Sequence, residues 1–284
     1  MQENSINVYF LRKRILKLLL PIFLGVIFIL WIGLPMLMAV MWSLVDPEHP
    51  WSYPQAWPEH VSLYQWIHVF KYTNIVQGIV NSFVIALATT ALSFLLSLPT
   101  AYALGRRKIV GKEAFKITML LPVIFPGMAL ALFLGRAFTT LGIAQTYLGV
   151  ILSHTVVAIP FMMRILTVSF ESIPQEIIDA AENLGAGTWT KLVEVYFPMI
   201  LPGFFAGSIF SFIQSMEEFN LTFIIGAPSI QTIPTILFSY LGTNFLRTSA
   251  SVVSLILVIP NLILLAVSER FIKTEYLGAA LGKM

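Results

Sequence analysis

Six long apolar runs, separated by shorter polar interruptions, divide the chain. They cover about residues 17–42, 77–104, 117–138, 147–168, 199–224 and 248–268. Each holds on the order of 20 or more mostly apolar residues, enough at about 1.5 Å per residue to cross a hydrocarbon layer of about 30 Å. None shows the strict alternation over about ten residues that a barrel strand needs. An open strand edge could not be satisfied in lipid, so helices are the expected element. The pattern predicts an all-α integral membrane protein with six transmembrane helices forming one domain over residues 1–284.

Composition agrees. Of 284 residues, 57% are hydrophobic and 11% charged, against about 45–50% and about 25% in a soluble domain. So little charge cannot wet a soluble surface, and so much apolar content excludes disorder. There is no cysteine, which excludes a disulfide framework, a thiolate metal site and a thiol nucleophile.

Arg12, Lys13 and Arg14 precede the first run and resemble the basic part of a signal peptide. The run after them is too long for such a signal and carries no small-residue cleavage site, so it is expected to stay as the first helix. With six helices, fourteen of the seventeen Lys and Arg residues fall on one side, including Arg106, Arg107, Lys108, Lys112 and Lys116; Lys71, Arg136 and Arg247 fall on the other. Basic residues mark the cytoplasmic side, so both termini are expected there. The outer loop at 43–76 carries Asp46, Glu48 and Glu59 with Trp51, Trp57 and Trp66, and tryptophan suits the membrane–water boundary.

The longest polar stretch of the cytoplasmic side is the loop at 169–198. Ser172 with Gln175 three residues on fits a capping box, Pro174 suits a first turn, and Glu176 favours the helix dipole. Gly185 suits a left-handed stop. Thr188 is placed to cap a second short helix that Pro198 would end. Ile177, Ala180, Ala181 and Leu184 share one helical stripe. From the residues alone, that stripe either packs on the protein's own bundle or meets a partner.

The same loop resembles the coupling loop of permease subunits of bacterial binding-protein-dependent ABC importers. Their pattern is Glu-Ala-Ala, three residues, Gly, nine residues, Ile-x-Leu-Pro. Here Asp179-Ala180-Ala181, Gly185 and Val195-Tyr196-Phe197-Pro198 keep every spacing, with Asp for Glu, Val for Ile and Phe for Leu. The resemblance implies a type I importer permease bundle in the bacterial inner membrane. It implies that Asp179, Ala180, Ala181, Glu182, Leu184, Gly185 and Pro198 contact a separate ATPase dimer, and that this chain binds no cofactor of its own. A second permease, expected to be a different chain, and an external substrate-binding protein complete the implied assembly. Asn81-Ser82, Ser215-Met216-Glu217-Glu218-Phe219, Gly226-Ala227-Pro228 and Gln231-Thr232-Ile233-Pro234 are similar to the spermidine/putrescine-type permeases, the C-type subunit especially. Related branches carry iron, thiamine or aminophosphonates.

The fifth run carries polar residues at membrane depth. Ser208, Ser211, Ser215, Glu218 and Thr222 recur at spacings of 3, 4, 3 and 4, one helical face, with Gln214 and Glu217 beside it. The two glutamates lie about 30 Å along from Pro198. A carboxylate within the bilayer is costly and marks a pathway or a paired charge. Three readings stand: Ser211, Gln214, Ser215, Glu217 and Glu218 line a substrate pathway; the glutamates lie just outside the bilayer; or they pair with Arg136 or Arg247. A polyamine ammonium would suit the first. In the second run Ser82, Ala86, Thr89, Ser93 and Ser97 form a small-residue stripe, and Gly203-x-x-x-Gly207 opens the fifth; both favour close helix packing. Pro122, Pro126 and Pro260 are placed to kink their helices.

No GxxxxGK[ST] loop for nucleotide phosphates occurs, nor HExxH, GxSxG or a kinase motif. His49, His60 and His68 have no partner at ligand spacing, and His154 is expected to make a satisfied polar contact. An independent carrier or membrane enzyme would need charged relays in several helices. Intramembrane charge here is confined to Glu217, Glu218 and Arg136, which favours an ATP-driven transport subunit.

Overall fold

The computed structural model describes Lys17 and residues 19–52, 54–243 and 245–281, with side chains at 243 and 267–281 outside that description. Its helices are α1 (Leu19–Ser43), α2 (Tyr64–Tyr72), α3 (Ile75–Arg106), α4 (Lys112–Ile124), α5 (Gly127–Thr140), α6 (Tyr147–Glu171), α7 (Gln175–Asn183), α8 (Thr188–Glu217), α9 (Ile233–Gly242) and α10 (Arg247–Leu281). Among the described residues the only extended pairing is an isolated antiparallel bridge between Val45 and Val61. The predicted all-helical class is what the chain adopts. Arg12, Lys13, Arg14 and Lys283 lie outside the described residues.

Among the described residues five helices are long and apolar enough to cross a membrane; a sixth crossing exists only if α4 and α5 count as one broken span. Here the structure corrects the expected single helix at 117–138. The two pieces meet at 93°. Phe125 is extended (φ −67°, ψ 140°) because it precedes Pro126, and Pro126 (φ −55°, ψ 129°) caps the start of α5. The proline ring disfavours the helical conformation of the residue before it, so two prolines four apart break the helix where a kink was expected.

The fifth helix also differs. It starts at Thr188 and runs through Pro198, which sits in a first-turn position after a wide π-type stretch at Lys191–Tyr196. The separate short helix expected to end at Pro198 is therefore absent. At the other end α8 stops at Glu217, not 224. Glu218 is extended (φ −71°, ψ 111°), and its Oε1 accepts the N–H of Leu221 at 3.1 Å. That carboxylate caps the start of the next helical segment, residues 220–226, as an N-cap side chain does.

The chain divides into two compact units. The first comprises residues 1–71 and 246–255. Within it Trp66 Nε1 donates to Ser43 Oγ at 3.3 Å, Ser249 Oγ donates to Gln65 Oε1 at 3.3 Å, and the rings of Trp42 and Trp51 stand 4.8 Å apart. Helix α1 is apolar and exposed, Trp31 to 80%, as expected of a helix whose neighbour is lipid or another membrane chain. In the outer loop, Asp46 accepts the backbone N–H of Glu48 at 2.8 Å, which holds its carboxyl below the ordinary value.

The second unit comprises residues 72–245 and 256–284 and is built on α3, α6 and α8. The small-residue stripe of α3 is buried: Ser82, Ala86, Thr89, Ser93 and Ser97 are all 2% exposed or less. A Cβ at Gly207 would stand 2.6 Å from Met162 Sδ, and one at Gly203 would overlap Ser169 Oγ, so α8 lies directly against α6. Both small-residue signals are packing devices.

Candidate functional site

Two places in the second unit collect the residues singled out in the sequence. The first is the loop between α6 and α8. Its helix α7 covers Gln175–Asn183, with Pro174 as the residue before it. Ser172 does not form the expected capping box; its Oγ donates to the carbonyl of Ser169 at 2.8 Å. Gln175 turns elsewhere: its Nε2 donates to Asp179 Oδ1 at 2.8 Å and its Oε1 accepts from Arg106. Gly185 holds φ +81° and its N–H bonds to the carbonyl of Glu182 at 2.9 Å. This is the left-handed stop that a residue without Cβ adopts at least cost.

One face of α7 is anchored. Ile178 is 3% exposed and joins Ile173, Phe170, Leu166, Tyr196 and Ile200 in a buried cluster at this end of α3, α6 and α8. The neighbouring face, centred about 100° round the helix, is largely exposed. Ile177 is 41% exposed, Leu184 89%, and Trp189 beyond the turn 75%, with Ala180 exposed and Ala181 half-buried between them. Among the described residues, Ile177, Ala180 and Leu184 of the stripe are exposed and Ala181 is half-buried. Asp179 and Glu182 flank the stripe, and Glu182 pairs with Lys191. Basic residues gather at the same end: Lys112 Nζ lies 2.7 Å from Glu171 Oε1, and Lys116 lies 3.4 Å from it and 3.2 Å from Glu113.

The second place is the far end of α8. Ser211 is fully buried and Ser215 nearly so, both enclosed among helices of this chain. His154, 3% exposed on α6, is hydrogen-bonded through Nδ1 to Ser215 Oγ at 2.8 Å and through Nε2 to Thr222 Oγ1 at 2.9 Å. The expected satisfied contact is thus a clasp across the break at Glu218. The spacing of 3, 4, 3, 4 does not describe one helix, yet His154 rejoins its two halves. Gln214 and Glu218 are half-buried and border one small pocket with His154, Val157 and Ala158. Glu217 is exposed and accepts from Asn261 Nδ2 at 2.9 Å, with no ion pair to Arg136 among the described residues. The hydroxyls of Ser208 and Ser211 and the Oε1 of Gln214 are buried without a hydrogen-bond partner. Buried polar atoms of that kind call for an explanation. No group of three or more His, Asp or Glu residues able to hold a metal occurs among the described residues.

Two motifs singled out separately in the sequence, Asn81-Ser82 and Gln231–Pro234, meet in a third cluster that the sequence did not reveal. Asn81 Nδ2 donates to the carbonyl of Gln231 at 2.7 Å, its Oδ1 accepts from Tyr147 Oη at 2.7 Å, and Ser82 Oγ accepts the N–H of Ile233 at 2.9 Å. The pair Asn81-Ser82 thereby fixes the segment leading into α9. Nearby, a cavity of about 460 Å³ is lined by Tyr72, Asn74, Phe223, Gln231, Phe238 and Tyr240 among others, with no carboxylate in its wall.

The architecture is an all-helical multi-pass bundle with a short, largely exposed helix between two spanning helices. The comparisons place it further. The family described as "Binding-protein-dependent transport system inner membrane component" matches residues 96–274, and the chain belongs to that family. It is an inner-membrane subunit of an importer, and ATP hydrolysis in such a system belongs to another chain. Among curated relatives it is 30% identical over 196 residues to the diacetylchitobiose uptake system permease protein NgcG of Streptomyces coelicolor, covering 68% of this chain and 65% of that one. It is 30% identical over 205 residues to the molybdenum transport system permease protein ModB of Haemophilus influenzae (65% and 90%). It is 25% identical over 197 residues to the spermidine/putrescine transport system permease protein PotC of the same species (67% and 77%). Among solved structures, a bacterial ABC transporter involved in import of the acidic polysaccharide alginate superposes with a TM-score of 0.74 at 19% identity, covering 91% of this chain and 97% of that one. The spermidine/putrescine likeness is one of several.

Proposed function

We infer that this chain forms half of the translocation pathway of an ATP-driven importer and receives motion from an ATPase dimer through α7. The observation that carries the reading is the two-faced α7. Ile178 roots it in the bundle, while among the described residues Ile177, Ala180 and Leu184 are exposed beside the half-buried Ala181. Small side chains at 180 and 181 let another surface approach closely, and Asp179, Glu182, Gly185 and Pro198 shape the rim. A second permease chain, different from this one, and an external substrate-binding protein complete the assembly, with both termini of this chain in the cytoplasm. Capture of the cognate ATPase subunit by the purified chain tests the docking. Ala181→Glu places a charge in the apolar stripe and Gly185→Pro destroys the stop; both should abolish capture, and retained capture would overturn the reading.

For the solute, two chemistries have support. Glu217 and Glu218 at the outer end of α8, with the unpartnered Gln214 Oε1 beside them, suit a small cation such as a polyamine. Carboxylates near a low-dielectric path stabilise a passing ammonium. Glu218→Gln should lower uptake while ATPase capture persists, and unchanged uptake kinetics would sink the cation reading. The aromatic and amide lining of the cavity around Tyr72, Phe238 and Gln231 favours a neutral saccharide instead. Binding of spermidine and of diacetylchitobiose by the partner binding protein, measured side by side, decides between them.

A further inference from the structure

Arg106 is the last residue of α3, and its guanidinium reaches the root of α7. Nη1 donates to the carbonyls of Ile173 at 2.9 Å and Phe170 at 3.4 Å; Nη2 donates to Gln175 Oε1. The two carbonyls belong to the end of α6 and the turn beyond it. The Phe170 carbonyl also accepts the N–H of Ile173 at 3.4 Å; the last carbonyls of a helix lack regular i+4 partners, and the helix dipole there favours a cation. Gln175 is the first residue of α7 and holds Asp179 in turn. The guanidinium carbon also stands 5.8 Å from the centre of the Tyr196 ring, in the segment that follows the loop. One side chain therefore touches the helix before the loop, the helix within it and the segment after it.

The reach depends on close backbone approach. A Cβ at Gly105 would stand 2.5 Å from Phe170 Cβ and 3.1 Å from the carbonyl oxygen of Thr167. With no Cβ there, α3 comes near enough to α6 for residue 106 to meet its terminal carbonyls.

We propose that Arg106 is a positioning residue that fastens α7 to α3, so that displacement of α7 reaches α3 and α8 as motion of one body. The proposal rests on the docking reading of α7. The other ties at this end do not set direction in the same way. Ile173 and Ile178 hold by apolar burial, which is non-directional. The Lys112–Glu171 and Lys191–Glu182 pairs are partly exposed, and pairs of that kind contribute little. A planar fork donating to two carbonyls and an amide at once fixes an orientation, and a lysine ammonium cannot reproduce it.

This chain has no cysteine of its own, so labels go where they are placed once any cysteines of the other subunits are replaced. Spin labels at Asn183→Cys on α7 and Leu96→Cys on α3, both exposed positions, report the distance between the two helices. The complete transporter in nanodiscs is measured without nucleotide and with ATP and vanadate. The parent should give one narrow distance in both states. Arg106→Ala and Gln175→Ala should lose that single narrow distance, most of all with ATP and vanadate, and Arg106→Lys should fall between. Variants that keep the parent's narrow distance in both states would overturn the proposal. If Arg106→Ala does not assemble, Arg106→Lys and Gln175→Ala decide it by the same criterion. ATPase capture on the same samples separates the two claims. A parent that captures no ATPase refutes the docking reading; intact capture with unchanged distances in the variants refutes the role of Arg106 alone.

Discussion

Ile177 and Ile178 are adjacent and chemically identical, about 100° apart around the helix, one exposed and one buried, so one helix carries its own control. Ile178 is 3% exposed in the cluster with Ile173, Phe170 and Tyr196; Ile177 is 41% exposed. Truncating a buried isoleucine to alanine costs about 2–5 kcal/mol, least where the site can collapse. Helix α7 has nine residues, and Ile178 is the one of them that is buried, so the lower figure of about 2 kcal/mol applies. A helix this short does not hold itself in water. The loss therefore falls on the attachment of α7, and about 2 kcal/mol raises its opening equilibrium about 30-fold. Amide hydrogen exchange of peptides covering 175–183 reads this directly, on the chain without its ATPase. Ile177→Ala removes an exposed group, worth within about 0.5 kcal/mol, and should shift exchange by no more than about twofold. ATPase capture should then rank the variants the other way at saturating partner: Ile177→Ala loses contact area, while Ile178→Ala is rescued as binding closes the helix. Equal exchange in the two variants, or no change in Ile178→Ala, would refute the two-faced assignment.

A double-mutant cycle between His154→Ala and Ser215→Ala should give a coupling of about 0.6 kcal/mol in thermal unfolding, the typical worth of a hydrogen bond inside a membrane protein; no coupling would remove the clasp. Gly185→Ala forces a Cβ into φ +81° at about 1–2 kcal/mol and should raise exchange at the end of α7, with Gly185→Asn milder; identical exchange in both would refute the strain. Asp46 has its carboxyl lowered by the Glu48 N–H, so its stabilisation of the outer loop is present above the unfolded value near 3.8 and lost as pH falls through the folded one. Pepsin cleavage of that loop should accelerate on acidification below that value, and Asp46→Asn should flatten the dependence; an unaltered profile in the variant would refute it.

The apolar runs made the class of fold legible because lipid leaves few other ways to satisfy a backbone. The start and stop of α7 were legible at Pro174 and Gly185, since both act through local backbone geometry. The breaks at Pro126 and Glu218 were not. A hydropathy pattern is blind to them, and only the capping bond from Leu221 to Glu218 shows that a carboxylate had replaced a helical turn. The stripe at Ile177, Ala180, Ala181 and Leu184 was visible from its spacing, but which face was anchored depended on Ile178, whose partners Phe170 and Tyr196 lie on either side of the loop. His154 looked isolated because Ser215 and Thr222 lie more than 60 residues away. Arg106 read only as one basic residue among many marking a membrane side; its contacts to Phe170, Ile173 and Gln175 are a product of tertiary approach at Gly105.

Helix α8 begins soon after the α7 turn and runs 30 residues to Glu217, with a π-type stretch at Lys191–Tyr196 within it. At about 1.5 Å per residue it is a rod of about 45 Å. On the docking proposed for α7, it would work as a lever with the turn after α7 at one tip and the glutamate pair at the other. A tilt of about 5° about either tip moves the opposite one by about 4 Å, given that length. That is comparable to the width of a small ion, and the stroke ends where Glu218 breaks the rod.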